Sequence, residues 1–280
     1  MKTVQFARKQ VPAIGMGTWY MGEQPAIYKQ ELEALRTGIE SGLTLIDTAE
    51  MYGEGLAEKL VGEAIAPYDR EQLTIVTKVY PWNATTTGVR QSLENSLKRL
   101  GTDYVDMYLL HWLGDVPLEE TVAIFETLQT EGKIKAWGVS NFDVPDMACL
   151  EKLSPNCMTN QVLYHMASRG IDFELRPWMQ QRAIPVMAYS PLGHGDTLNT
   201  NFAQNELLQQ MAQSYNITIQ QLLLAWVVAQ EQTIAIPKAS RKEHVLANRA
   251  ALDIVLNVEH LTQLDAMYPK PTTKQPLDEL

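Results

Sequence analysis

Four polar side chains occur where short apolar stretches of the chain end. Asp47 closes one such stretch, and Tyr52 follows it just before a segment whose apolar residues have helical spacing. Lys78 and His111 end the next two apolar stretches, each about one strand–helix unit further along. Because the carboxyl ends of parallel strands meet at one rim of an α/β fold, the sequence predicts that these four side chains lie together.

These residue types suit proton transfer to a carbonyl oxygen. A free tyrosine phenol has a pKa of about 10, and a nearby Lys78 cation is predicted to lower the pKa of Tyr52. Asp47 would keep that ammonium charged, and a neutral His111 can donate a hydrogen bond to the same carbonyl oxygen. This chemistry needs no metal, and no second histidine lies at a ligand spacing from His111.

Each of the four residues also has an ordinary structural interpretation. Asp47 and Tyr52 could be a capping aspartate and a surface tyrosine in a turn. Lys78 could be a solvated strand end, and His111 a hydrogen-bonded core histidine. Their joint arrival at one rim favours the chemical interpretation over four separate structural ones.

The alternation of apolar runs and helical spacing predicts about eight strand–helix units without a linker, in a single domain over residues 1–280. That number indicates an α/β fold of the (β/α)8 TIM-barrel type, with a short N-terminal β-hairpin and C-terminal helices and loop. A doubly wound sheet is the alternative, but Gly15 and Gly17 lack the third glycine of a dinucleotide fingerprint. The predicted core strands are Met16–Trp19, Leu45–Asp47, Leu73–Lys78, Tyr104–Leu110, Ile134–Val139, Met158–Val162, Val186–Tyr189 and Thr233–Ile236.

Composition narrows the classes of partner and compartment. A net charge of −10 and a pI near 5.0 argue against a nucleic-acid or anionic-membrane surface. The first residues contain no apolar signal region, and the longest apolar run, Leu222–Ala229, is too short to span a bilayer. Cys149 and Cys157 form neither a metal spacing nor a disulfide framework. We therefore expect a cytoplasmic protein.

Several motifs, in the same order along nearly the whole chain, resemble those of the aldo-keto reductase superfamily. Within that superfamily, the stretches 17–22 and 80–83 are most similar to bacterial reductases of 2-oxoaldehydes such as methylglyoxal. The motifs are Leu45-Ile46-Asp47-Thr48-Ala49 with Tyr52-Gly53, Lys78, Leu109-Leu110-His111-Trp112, Gly132-Lys133-Ile134, Trp137-Gly138-Val139-Ser140-Asn141-Phe142, Asn160-Gln161-Val162, Ala188-Tyr189-Ser190-Pro191-Leu192 and Ile236-Pro237-Lys238.

The resemblance implies an NADPH-dependent enzyme that reduces aldehydes by direct hydride transfer. It makes Tyr52 the proton donor, Lys78 and Asp47 the pair that tunes it, and His111 the orienting donor. It also implies that Tyr189 stacks on the nicotinamide ring and that the Pro191–Phe202 insert crosses the pyrophosphate. The remaining coenzyme contacts that it implies near the nicotinamide and pyrophosphate are Thr18, Ser140, Asn141, Gln161, Ser190 and Leu192. For Asn141 and Gln161, loop capping is the interpretation that the residues alone would favour.

Coenzyme preference depends on the segment around Lys238, Ser240 and Arg241. Two cations beside a hydroxyl suit a 2′-phosphate. Family members often have an arginine where this chain has His244 and a glutamate where it has Ala247, whereas Asn248 matches the adenine contact. We therefore expect NADPH as the coenzyme, with some use of NADH and with His244 at the phosphate site.

Trp19, Trp82 and Trp112 are predicted to wall the substrate pocket, although tryptophan in a barrel often serves packing alone. Such walls fit a small or planar aldehyde and exclude water. The tail after Tyr268 is predicted to be irregular and to close the pocket. The expected partner is thus a small-molecule carbonyl compound, with no nucleic acid or membrane, and the expected state is a monomer.

Two other functions compete with the reductase. Lys78 at a strand end could form a Schiff base in a lyase. Alternatively, the chain could bind a nucleotide without turnover, as a regulatory subunit.

Overall fold

The computed structural model describes residues 1–193 and 202–280, and the described strands include one parallel sheet. Its strands are β3 to β10, and they are hydrogen-bonded in the order in which they occur along the chain. Each short strand of buried residues is followed by a helical segment. This crossover places the next strand parallel to the previous one and beside it, so the order in the sheet follows the order in the chain. The bounds are Met16–Gly17 (β3), Leu45–Asp47 (β4), Thr74–Val79 (β5), Val105–Leu110 (β6), Ile134–Ser140 (β7), Cys157–Leu163 (β8), Val186–Tyr189 (β9) and Thr233–Ala235 (β10).

The first and last strands of this sheet join and close it into a barrel. The Gly15 N–H donates to the Ala235 carbonyl over 2.8 Å, and the Gly17 N–H donates to the Pro237 carbonyl over 3.1 Å. A Cβ atom on Gly17 would lie 2.6 Å from the Ile236 carbonyl oxygen, so only glycine permits this approach. The predicted (β/α)8 barrel is therefore confirmed, and an open doubly wound sheet is not formed.

Helices follow the strands around the outside of the barrel. Capping residues fix several of their ends: the Thr85 hydroxyl accepts from the Gly88 N–H, and Gly42 and Gly101 adopt positive φ just after α1 and α3. The bounds are Tyr28–Glu40 (α1), Leu56–Ile65 (α2), Thr86–Leu100 (α3), Leu118–Thr130 (α4), Val144–Leu153 (α5), Leu175–Gln181 (α6), Glu206–Ser214 (α7), Ile219–Ala229 (α8), Lys242–Ala250 (α9) and Val258–Met267 (α10). In the part of the chain that the structure describes, none of these helices has the length and apolarity needed to cross a membrane.

A two-stranded antiparallel hairpin precedes the barrel, as predicted. It consists of β1 (Thr3–Phe6) and β2 (Lys9–Pro12). The Lys9 ammonium is 2.8 Å from a carboxylate oxygen of Asp106, which is fully buried near the start of β6. This contact places the hairpin at the N-terminal ends of the strands, which leaves the opposite end of the barrel for a site.

The first core strand is shorter than predicted. It ends at Gly17 rather than at Trp19, because the chain turns there: the Met21 N–H donates to the Thr18 carbonyl over 2.9 Å, and Tyr20 adopts a φ of 62°. The turn takes Trp19 out of the sheet, and its ring centroid lies 6.4 Å from that of Tyr52.

Candidate active site

Lys78, near the end of β5, lies at the centre of the four predicted residues. Its ammonium donates to Asp47 Oδ2 over 2.9 Å, to the Thr48 carbonyl over 2.9 Å and to the Tyr52 hydroxyl over 2.8 Å. The side chain has no exposed surface. A lysine ammonium carries three hydrogens, so every one of them is engaged. The structure therefore brings Asp47, Tyr52 and Lys78 together as the sequence predicts.

A tight turn between β4 and α2 positions Tyr52. Residues Gly53, Glu54 and Gly55 all have positive φ, between 54° and 85°. Three successive left-handed residues reverse the chain before α2 begins, and a non-glycine residue at such a φ is strained. The reversal leaves the Tyr52 side chain packed against Ala49 and Ala57 with little exposure.

The Tyr52 hydroxyl accepts the hydrogen bond from Lys78, so its own hydrogen is free to point elsewhere. Burial raises the pKa of this phenol well above its ordinary value, and the nearby acid Asp47 and the phenol of Tyr189 raise it further. The predicted lowering of the Tyr52 pKa by Lys78 is therefore wrong, because removal of a phenolate from water outweighs the attraction of one cation. Tyr52 is accordingly a phenol, with a proton to donate, at neutral pH.

Asp47 is held from two sides. Lys78 contacts one carboxylate oxygen, and Gln161 Nε2 donates to the other, Oδ1, over 2.8 Å. Burial raises the pKa of Asp47, while Lys78 and Gln161 oppose that shift. Burial also lowers the pKa of Lys78, and Asp47 opposes that shift. The Asp47–Gln161 contact could not be predicted from the sequence, because it crosses the barrel between β4 and β8.

His111, which follows β6, lies beside Tyr52. The two ring centroids are 5.9 Å apart in an edge-to-face arrangement. Burial first, and then the charge of Lys78, lowers the pKa of His111 to about 2. The imidazole is thus neutral near pH 7, with one ring N–H to donate. Its buried Nδ1 has no hydrogen-bond partner among the residues that the structure describes.

The residues predicted to contact the nicotinamide gather where β7, β8 and β9 end. Asn141 adopts a φ of 58° directly after β7, and its Oδ1 accepts from the Tyr189 hydroxyl over 3.1 Å. The Ser140 hydroxyl donates to the Gln161 carbonyl over 2.8 Å. Thr18, which is fully buried, donates to the Asp47 carbonyl over 2.9 Å. These side chains therefore border the Asp47–Lys78 pair.

The predicted pyrophosphate segment is only partly described. Ser190 adopts a φ of 47°, and Leu192 packs against the core. Most of the Pro191–Phe202 insert, at 194–201, lies outside the described residues, so its predicted crossing of the pyrophosphate stays a prediction.

The segment predicted to bind a 2′-phosphate leads from β10 into α9. Lys238, Arg241 and His244 are exposed, and the structure gives them no salt bridge within 1–193 and 202–280. Arg241 is the N-cap of α9, and no side chain caps that end. Uncapped helix N–H groups beside unpaired cations can hold a phosphate. Ser240, however, donates its hydroxyl hydrogen to Glu31 Oε1 over 3.0 Å, and Asn248 is buried in α9.

An aromatic cluster adjoins the four catalytic candidates. The Trp112 ring centroid is 4.9 Å from that of His111 and 5.7 Å from that of Trp82, and the Trp19 ring centroid is 6.4 Å from that of Tyr52. Tyr80, which sequence reasoning missed, stacks on Trp82 with centroids 4.1 Å apart. Its place at the end of β5, beside Trp82 in the sequence, was the signal available.

The C-terminal tail reaches this site. After α10 the chain has no helix or strand, as predicted, and the Ser168 hydroxyl donates to Asp278 over 2.5 Å. Burial raises the pKa of the Tyr189 hydroxyl, the charges of Glu279 and Asp278 raise it further, and the backbone of Leu280 opposes this shift. Lys274 is 2.8 Å from an Asp143 carboxylate oxygen. The tail therefore lies across the ends of β8 and β9.

Among the described residues, no group of three or more histidine, cysteine, aspartate or glutamate side chains could hold a metal ion. The charged side chains of the site are instead arranged around one buried lysine.

Comparison with known proteins identifies one family over most of the chain. The model of the aldo/keto reductase family matches residues 13–269. Methylglyoxal reductase YeaE of Escherichia coli K12 is 50% identical over 280 residues, which cover 99% of this chain and 98% of that protein. Glyoxal reductase of Bacillus subtilis is 32% identical over 278 residues, which cover 97% of this chain and 94% of that protein.

A solved structure is similar over the full length. An aldo/keto reductase from Klebsiella pneumoniae, crystallised in complex with NADP and acetate, is 54% identical and has a TM-score of 0.97. The match covers 100% of this chain and 99% of that chain.

Proposed function

The chain belongs to the aldo/keto reductase family, and we propose that it is an NADPH-dependent reductase of aldehydes and 2-oxoaldehydes such as methylglyoxal. One observation supports the proposal most directly: the Lys78 ammonium donates its three hydrogens to Asp47, Thr48 and Tyr52. The Tyr52 hydroxyl accepts from Lys78, so its own hydrogen is free for a substrate. The similarity to reductases named for methylglyoxal and glyoxal supports the substrate class.

Tyr52 is the proton donor in this proposal. Its raised pKa keeps the proton on the phenol until a carbonyl oxygen gains negative charge during reduction. As the proton leaves, the phenolate oxygen already has the Lys78 ammonium at 2.8 Å. A charge-assisted hydrogen bond strengthens as the acceptor becomes an anion, so this contact stabilises the product of proton transfer more than the reactant.

Asp47 and Gln161 hold that ammonium in place. Asp47 fixes Lys78 through one oxygen, and Gln161 fixes Asp47 through the other. Pre-positioned groups in a buried site need little reorganisation when charge moves. His111, neutral because burial lowers its pKa to about 2, donates a hydrogen bond to the substrate oxygen and orients it beside Tyr52.

The residues present fit an NADPH coenzyme. Lys238 and Arg241 are exposed at the uncapped start of α9 and form no salt bridge with another described residue, which matches a 2′-phosphate site. The nicotinamide end would be held by Ser140, Asn141, Gln161 and Tyr189, and the same rim carries Thr18, Ser190 and Leu192. The adenosine end would be held by His244 and Asn248. When bound, the coenzyme supplies a hydride to the carbonyl carbon.

Trp19, Trp82 and Trp112 would wall the substrate site, and the tail contact at Tyr189 would cover one side of it. Aromatic walls suit a small or flat carbonyl compound and keep water from the reacting atoms. A cytoplasmic location and a monomeric state stay predictions from the sequence.

The two competing functions lack this support. A Schiff-base lyase needs a lysine with a free lone pair at an accessible position. Lys78 has no exposed surface and three hydrogen bonds. A non-catalytic nucleotide-binding protein would have no need of the intact arrangement of Asp47, Tyr52, Lys78 and His111.

The proposal is tested by following NADPH oxidation with methylglyoxal, aromatic aldehydes and sugars. Turnover of 2-oxoaldehydes is expected. A protein that binds NADPH and oxidises it with none of these compounds would contradict the reductase and favour the binding protein.

A further inference from the structure

Glu31 is a buried glutamate that has no part in the chemistry above. It lies in the first turn of α1 and has no exposed surface. Its Oε2 accepts the Gly22 N–H over 2.8 Å, and its Oε1 accepts the Ser240 hydroxyl over 3.0 Å. Both donors are neutral. A buried carboxylate whose hydrogen-bond partners among the described residues are all neutral is unusual enough to need an explanation.

The two donors belong to the two ends of the proposed site. Gly22 follows the turn that carries Trp19, beside the catalytic residues. Ser240 lies between Lys238 and Arg241, the two cations proposed for the 2′-phosphate. A carboxylate in this place therefore bears directly on the segment that distinguishes the two coenzymes.

We propose that Glu31 limits the preference for NADPH over NADH by opposing the binding of a 2′-phosphate. The inference rests on the proposed function only for the place of that phosphate. Ser240 has a single hydroxyl hydrogen and donates it to Glu31, so it presents only lone pairs to an anion. The Glu31 charge lies directly behind Ser240, and burial weakens its screening by water and salt. Glu31 acts through Ser240 and is therefore a specificity-determining residue rather than a catalytic one.

The segment around Ser240 has other contacts with α1, so attachment to α1 does not by itself explain why residue 31 carries a charge. Gln30 Nε2 donates to the Ser240 carbonyl over 2.9 Å, and Lys242 pairs with Glu33 over 3.5 Å. These contacts already join α1 to the start of α9. Replacement of Glu31 by glutamine removes the charge and keeps the shape of the side chain.

The test compares Glu31→Gln with two matched variants. Glu33→Gln removes the same charge from the exposed face of the same helix, and Glu31→Asp keeps the charge but shortens the side chain. Calorimetric titration with adenosine 2′-phosphate and adenosine 5′-phosphate reads the phosphate site without any turnover. KM and kcat with NADPH and with NADH are measured on the same proteins.

In Glu31→Gln, adenosine 2′-phosphate should bind about 3- to 10-fold more tightly, as expected for a partly screened charge near a dianion. Adenosine 5′-phosphate should bind as before, and the KM for NADPH should fall relative to that for NADH with kcat unchanged. Glu33→Gln and Glu31→Asp should stay within about twofold of the wild type, since the exposed Glu33 charge is screened by water and salt and a retained charge at residue 31 still repels.

An unchanged or lowered ratio of 2′- to 5′-phosphate affinity in Glu31→Gln would overturn the inference. An equal gain in affinity for adenosine 2′-phosphate in Glu31→Asp would also overturn it, because that variant keeps the charge. Glu31→Asp provides this test even if the glutamine variant does not fold. A wild-type protein that binds adenosine 2′-phosphate but shows no aldehyde turnover would refute the reductase proposal without touching Glu31. A wild-type protein that does not bind it would refute both the NADPH site and the role of Glu31.

Discussion

Gln161 at the end of β8 donates from Nε2 to Asp47 Oδ1 over 2.8 Å, across the barrel interior from β4. The carboxylate that holds Lys78 is thus itself held by a neutral amide. Asp47 is almost completely buried, so each of its oxygens needs a donor.

Gln161→Leu should lower the free energy of unfolding by about 1–3 kcal/mol, because it leaves Asp47 Oδ1 buried without a partner. It should also lower kcat, since Lys78 is then less firmly placed. Urea denaturation and steady-state kinetics measure both effects. The control Gln10→Leu, on the exposed hairpin, should stay within about 0.5 kcal/mol of the wild type. Equal stability of Gln161→Leu and the wild type would refute the role of this contact.

Lys78→Met should be destabilised by about 3–5 kcal/mol, because it leaves the Asp47 carboxylate buried without its cation. The double variant Asp47→Asn with Lys78→Met should recover much of that loss, since it buries no charge. Both proteins should be inactive. A double variant less stable than Lys78→Met alone, by chemical denaturation, would show that the ion pair does not act as described.

His111 should make stability depend on pH. Its pKa is about 2 in the folded protein and about 6.5 when exposed, so the unfolded chain binds a proton between these values and the folded protein does not. This contribution to stability is fully present above pH 6.5 and is lost as the pH falls, by up to about 1.4 kcal/mol per pH unit. His111→Gln should lose less stability between pH 7 and pH 5 than the wild type does. Parallel losses in the two proteins would contradict the neutral imidazole.

Lys238→Ala should raise the KM for NADPH about 10-fold and leave the KM for NADH nearly unchanged, because only NADPH carries the 2′-phosphate. Lys242→Ala is the matched control, since Lys242 is also exposed near the start of α9 but already pairs with Glu33. Steady-state kinetics at two salt concentrations make the comparison. Equal effects on the two coenzymes would remove Lys238 from the phosphate site.

The barrel and the positions of the candidate catalytic residues could be predicted from the sequence because both follow from local patterns. Apolar runs such as the one that ends at Asp47 are read directly as strands, and strand order then places Lys78 and His111 on the same rim. The helical spacing that follows the apolar runs was interpreted in the same way, and helices follow the strands in the structure.

Features that depend on burial or on distant contacts could not be predicted. The pKa of Tyr52 rises rather than falls, because its exclusion from water is a property of the folded site. Gln161 and Asp47 meet only once the barrel has closed. Glu31 resembles an ordinary helix-surface glutamate in the sequence, yet it is buried, because Gly22 and Ser240 converge on it.

The most direct test of the proton-donor role is the rate of methylglyoxal reduction by Tyr52→Phe, with NADPH binding measured by fluorescence titration of the same protein. Phenylalanine removes one hydroxyl and keeps the ring that packs against Ala49 and Ala57. The proton-donor role predicts unchanged NADPH binding and a kcat lower by about 10²-fold or more, the contribution typical of general acid catalysis. A Tyr52→Phe protein that reduces methylglyoxal within a few-fold of the wild-type rate would contradict it.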